Sequence, residues 1–556
     1  MPPKRKEFLK PKPKGKLKPQ EPQTENDFLE AADEYEQAAG KWRAGDAAKA
    51  ARFFNRAIDM YNEGLRLHPQ SFDLAYNKAN LLYNIAEDER SMSQFGNRTA
   101  LLEQTLDSHR FAVSLNPTNT DILFNTAQVL TSLAEVRLES DTQEARKQDA
   151  RPLLEEAVEM FKRCLDSQQQ EYTQIQAEIA KAQASGEYRE AWEGERQQQS
   201  AVGEADEDVK TESSDAEAPG DWATVEEPLT PESILETCTA QLNALTTLLG
   251  LYNPALDLSG LEKKAEDGLE TATHKMPLLL DLIEQSPSKA PAEERRSGPT
   301  LSLTSTPASE EATTTPKDDA LLAIATFQAS VAEIQYRSGK TDATAYASTI
   351  DRTFSSLQQS LPQTPPPTLA TVNLHSAHAD ALIDFASALS DGTQYTPSAP
   401  TFETDTALQW TALTQSQTIL TTLSSAPHAS LLSPSRLSDV FLARGDTDLF
   451  RFRISLFATA KPAWQKSGPT LVANAGVFYR GARSWAERAA ALHAQRVADA
   501  KAVVAEVLKE EVEGKGGAGK EGWKGKRGVV EWVLAQMVDE GIVGRENVEG
   551  ILRMVG

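Results

Sequence analysis

The sequence predicts an all-α chain assembled from antiparallel helical hairpins, and three observations lead there. Apolar residues recur at three- and four-residue intervals over most of the chain. Prolines and glycines interrupt that pattern at helix-length intervals. No region shows the sustained two-residue alternation with turn signals that a sheet would need.

Composition bounds the rest. With 556 residues the chain exceeds one ordinary domain, so several folded regions and linkers are expected. An apolar fraction of 40% and 29 prolines imply a substantial unfolded share. The formal charge of −24 argues against nucleic acid as the main ligand and steers the chain towards basic partners. Two cysteines, Cys164 and Cys238, exclude a disulfide framework and fit a reducing compartment. No apolar run approaches a membrane span, and the start, MPPKRKEFLKPKPKGK, lacks the apolar stretch of a secretory signal. The expectation is a soluble protein of the cytoplasm, the nucleus or both.

Taken in order, residues 1–24 form a basic tail expected to be disordered. Its first twenty residues carry eight cations against Glu7 alone. Lys4, Arg5 and Lys6 read either as part of a solvated tail or as a nuclear import signal, and the same stretch could touch RNA. Amphipathic helices are expected over 25–184, with Pro69 and Pro117 ending segments sharply. An acidic linker, 185–230, follows. A helical segment, 231–284, precedes a Ser/Thr/Pro-rich linker, 285–316, in which Ser286-Pro287, Thr306-Pro307 and Thr315-Pro316 suit proline-directed kinases.

The region 317–512 reads as further helices, with a turn at Gly339 and helical patterns over 368–389, 402–424, 435–461 and 468–512. A Gly/Lys-rich linker, 513–528, leads to a helical pair, 529–556. Its apolar faces are expected from Trp532, Leu534, Met537, Ile551 and Leu552. That pair reads as a cap on the helical array. A helix-turn-helix DNA reader, helped by Lys515, Lys520, Lys524, Lys526 and Arg527, is the alternative.

A repeat is visible within 31–167. Residues 31–58 place a small residue before an aromatic, then Gly45-Asp46, then Ala50, Phe54 and Ala57 at spacings of four and three. Gly45 lets the chain reverse, the alanines admit a close helix approach, and Phe54 fills the space beside them. A second copy pairs 72–87 with 101–117, with Ala79 and Ala112 small and Pro117 closing it. A third pairs 121–135 with 153–167, with Ala127, Ala157 and Phe161 in register.

These copies resemble tetratricopeptide repeats, with lengthened helices and an insertion around 88–100. Gly445-Asp446 suggests that the array continues. The resemblance implies stacked hairpins with a concave groove lined by the first helix of each pair. It places Tyr35, Glu36 and Ala39 in that groove, with Asp73, Tyr76, Asn77, Asn80 and Tyr83 from the second copy. Asp121, Phe124, Asn125 and Gln128 come from the third. Asn side chains there can hold an extended peptide backbone or satisfy neighbouring repeats. The carboxylate clamp of tetratricopeptide co-chaperones is not expected, because Tyr35, Asp121 and Asn125 stand where its basic residues belong.

Signals for chemistry are weak. GKGGAGK at 514–520 fits the start of a phosphate loop, but Glu521 stands where Ser or Thr should bind Mg²⁺. His375 and His378, with Asp380 nearby, lack further ligands and read as surface histidines. No enzyme, cofactor, metal or small-molecule substrate is expected. The sequence thus points to a scaffold acting as adaptor or chaperone for a basic client protein. A nucleic-acid-associated factor using its basic tails is the second reading.

Overall fold

The computed structural model describes residues 21–138, 143–185, 229–252, 257–285, 314–361, 366–391, 395–514, 523 and 525–556. Among them every regular element is helical. Lys4, Arg5, Lys6, the acidic stretch after residue 185, Ser286-Pro287 and Thr306-Pro307 lie outside the described residues, as does nearly all of GKGGAGK. Among the described residues no helix is long and apolar enough to cross a membrane. Both Cys164 and Cys238 are buried free thiols. The chain divides into two compact units, with the change falling at Leu153/Leu154 inside one long helix.

The first unit begins with α1 (Glu25–Arg43) and α2 (Ala47–Leu67), packed as a hairpin. Thr24 caps α1 in a reciprocal box with Asp27, and Asp46 caps α2 by accepting the Lys49 N–H at 2.9 Å. Ala32, Ala39, Ala50, Phe54 and Ala57 are buried, so the small-residue pattern is what lets the two helices close. α3 (Phe72–Glu87) follows Pro69. The expected insertion holds a single turn, α4 (Glu89–Met92), tied back by Arg43 to Asp88 at 2.8 Å. α5 (Arg98–Leu115) packs on α3, and α6 (Thr120–Leu138) packs on α5. α7 (Gln143–Ser185) is far longer than the expected 153–167 and runs through Pro152.

The second unit contains α8 (Pro231–Leu251), α9 (Leu258–Glu270) and α10 (Met276–Gln285), the last two joined by a π-helical turn, Thr271–Lys275. Then come α11 (Pro316–Arg337), α12 (Ala343–Ser360), α13 (Leu369–Ser390) and α14 (Phe402–Leu423). Gly339, at φ +74°, makes the α11–α12 turn. Tyr346, Ile350, Phe354, Leu382 and Phe385 form their shared core.

α15 (Pro434–Ser455), α16 (Pro462–Arg488) and α17 (Leu492–Val512) follow, then α18 (Arg527–Asp539) and α19 (Val548–Val555). Leu534, Met537 and Ile551 are buried in one core with Phe450, Tyr479 and Val504, and Trp532 and Leu552 pack against it. The C-terminal pair therefore closes over α15–α17.

Two expectations are corrected here. Gly445-Asp446 is not a turn but the middle of α15. Gly445 is small because a Cβ there would stand 2.4 Å from the Tyr479 ring. The stretch read as one helix over 468–512 is two. They break at Ala489–Ala491, where Ala490 takes φ +55° with no Gly or Pro to announce it. Pro469 meanwhile lies inside α16 without ending it.

Candidate partner-binding face

The candidate face belongs to the first unit, where α3 touches both α1 and α6. Superposing the sequences of α3 and α6 at an offset of 48 residues shows why the face is regular. Asp73 falls on Asp121, Tyr76 on Phe124, Asn77 on Asn125, Asn80 on Gln128, and Glu87 on Glu135. In both helices the intervening residues Leu74/Ile122, Ala79/Ala127, Leu82/Leu130 and Ala86/Ala134 are buried. Each helix thus turns one face to the core and presents the same series of acid, aromatic, amide and acid on another.

The structure places the expected residues as follows. Asp73, Asp121, Glu87 and Glu135 are exposed, whereas Tyr35, Tyr76, Asn77, Asn80, Phe124, Asn125 and Gln128 are half-buried. The two acid rows are fourteen residues apart along each helix, about 21 Å at helical rise. Asn125 donates from Nδ2 to Asn80 Oδ1 at 3.1 Å. The Tyr76 ring lies 5.6 Å from that of Phe72. Tyr83 and Ser132 meet at 3.5 Å between their hydroxyl oxygens. Part of the Asn capacity is therefore spent joining α3 to α6. Asn77 stands apart from this network.

Two of the residues assigned to the groove are not on the face. Ala39 is fully buried, and Glu36 is 5% exposed against α2. The Tyr61 hydroxyl donates to Glu36 Oε1 at 2.7 Å. Burial pushes the Glu36 carboxyl up to about 7, with Asp33 adding to the rise and the Tyr61 bond opposing it. Ala32 and Ala39 lie four before and three after Glu36, a helical stripe that marks it as inward. What the sequence reading missed on the face is the acid pair Glu87 and Glu135, legible once the 48-residue offset is used.

Near the edge of the face, Ser71 donates to Glu25 Oε1 at 2.5 Å, and the His68 ring nitrogen donates to the Gln23 carbonyl at 3.0 Å. Residues 23–25 are thereby fixed beside the start of α3. Burial, helped by Glu25, raises the Asp73 carboxyl.

The second unit holds a different polar cluster. Lys501, 5% exposed, contacts both Asp446 oxygens at 2.8 and 2.9 Å, and the Tyr479 hydroxyl donates to Asp446 at 2.8 Å. This knot joins α15, α16 and α17. Burial alone would lower the Lys501 pKa, but Asp446 and Glu540 outweigh it and the pKa rises. His378 is buried rather than superficial, stacked on Phe354 at 4.8 Å, and burial lowers it to about 4. His375 is half-buried with its ring 5.9 Å from His428. Among the described residues no group of three or more His, Cys, Asp or Glu is arranged to hold a metal.

Fold and face together define a helical repeat protein. No known family profile matches the chain. Over 167 residues it is 27% identical to UPF0656 protein C926.02 of Schizosaccharomyces pombe, covering 30% of this chain and 36% of that protein. The match therefore spans about a third of the relative's length. Among solved structures, a circular tandem repeat protein with novel repeat topology and enhanced subunit contact surfaces overlaps 96% of this chain and 98% of its own. It does so at 11% identity and a TM-score of 0.27, too low to carry a conclusion.

Proposed function

We propose that the chain is a protein-interaction scaffold of tetratricopeptide type, working as an adaptor or chaperone for a basic client in the cytoplasm or nucleus. The observation that carries this reading is the repeated acid–aromatic–amide–acid series on α3 and α6. A core alone does not require matching residues on the side of a helix that faces away from it. Half-exposed aromatics supply contact area, amides engage a peptide backbone without dictating its side chains, and the acid rows favour Lys and Arg. The reading assigns the chain no catalytic step and no cofactor.

The test is affinity capture from cell extract with the intact chain and an Asp73→Asn, Asp121→Asn, Asn77→Ala variant. These positions avoid the Asn80–Asn125 bond, and circular dichroism checks that helix content is kept. Loss of a dominant basic partner in the variant supports the reading. An unchanged partner list removes this face from consideration.

A further inference from the structure

We propose that the basic segment preceding Glu21 folds back onto the α3–α6 face of its own chain and competes there with a basic client. The inference rests on the reading of that face as a seat for basic peptides. Three observations carry it.

The first is where the described chain begins. Contacts from His68 and Ser71 hold Gln23 and Glu25 beside the start of α3, two residues before Asp73. The segment therefore leaves from the acidic end of the face. The second is length. Twenty extended residues reach roughly 65 Å, whereas α3 with its sixteen residues is only about 24 Å long. The segment can pass the row of Asp73 and Asp121 and reach that of Glu87 and Glu135.

The third is the charge pattern. Lys10, Lys12, Lys14, Lys16 and Lys18 alternate with Pro11, Pro13, Gly15 and Leu17. In extended backbone, residues two apart share an edge, so the five lysines form one cationic edge. A cationic segment on a short tether thus meets a face that is acidic at both ends, with Asp73 and Asp121 exposed at the near end and Glu87 at the far end paired with Arg98 at 3.0 Å.

The docked segment is a tethered competitor. At an effective concentration of about 1 mM and an intrinsic Kd of about 0.1 mM, it lowers client affinity about tenfold.

The test uses the full chain and a full-length variant carrying K10Q, K12Q, K14Q, K16Q and K18Q. The probes are a fluorescent 20-residue Lys-Ser peptide and a fluorescent peptide of residues 1–20, read by polarisation. The neutralised chain should bind the Lys-Ser probe about fivefold or more tightly than the intact chain. Adding Asp73→Asn and Asp121→Asn should weaken binding and erase that difference. Equal binding by both chains, weakened by the aspartate changes, overturns tail docking and leaves the client reading standing. If only the 1–20 peptide binds, and depends on Asp73 and Asp121, docking stands and the client reading falls. Failure of both probes to bind overturns both.

Discussion

Glu36 is a carboxyl held between two helices with one hydroxyl donor and, among the described residues, no cation bonded to it. Its pKa rises from 4.5 to about 7 in the fold, so the folded chain holds the proton more tightly than the unfolded chain. Stability is full below about pH 4.5, falls as pH rises towards 7, and stays low above that; the loss is about 3 kcal/mol. Hydrogen exchange of the α1 and α2 amides, corrected for intrinsic rate, should show weaker protection at pH 8 than at pH 5. Glu36→Gln keeps an acceptor for Tyr61 and should flatten that dependence. Lys501 poses the opposite case, a buried charge fully met by Asp446. Lys501→Met strands that carboxylate and should cost about 3 kcal/mol, read by denaturant unfolding. Pairing it with Asp446→Leu should recover much of the loss. Neither environment was legible in composition; Glu36 could be placed inward by its flanking alanines, but its Tyr61 partner, 25 residues away, could not.

Helix ends were legible wherever a residue with special backbone chemistry marks them. Gly45-Asp46, Pro69, Pro117 and Gly339 all fall at the expected turns. Asp46→Ala should remove the α2 cap and lower stability by about 1 kcal/mol, measured by thermal unfolding. The break at Ala489–Ala491 was hidden because alanine is the best helix former and gives no local warning. The Gly-Asp pair misled at residues 445–446 because one dipeptide serves two purposes. At 45–46 it reverses the chain and caps a helix. At 445–446 the glycine admits the Tyr479 ring and the aspartate receives Tyr479 and Lys501. Gly445→Ala should therefore cost about 2 kcal/mol through overpacking. Gly45→Ala, with nothing within 4 Å of an added Cβ, should be milder.

For the molecule as a whole, the all-helical class followed from periodicity, while the candidate face followed from it only in part. Tyr76, Asn77, Asn80, Phe124, Asn125 and Gln128 are half-buried on neighbouring helices, but a search framed on 34-residue repeats obscured the 48-residue register that aligns them. Buried partners such as Tyr61 with Glu36 depend on tertiary packing, which one sequence does not spell out. Under the proposed function, binding of a Lys-rich peptide should weaken steeply as salt rises, because exposed carboxylates act through solvent over a Debye length of about 8–10 Å. Titration at several ionic strengths checks this, and a flat response would shift the weight to the aromatic and amide contacts.

The equivalence of α3 and α6 has a further effect. Under the proposed function, a cation arriving at the face meets two seats of the same kind, the exposed Asp73 and Asp121. Degenerate seats add a statistical contribution of about RT ln 2, or ~0.4 kcal/mol, for a ligand needing only one of a pair. On that reading they would also let a bound chain exchange its grip one residue at a time, so that a long basic segment is handed along without being wholly released.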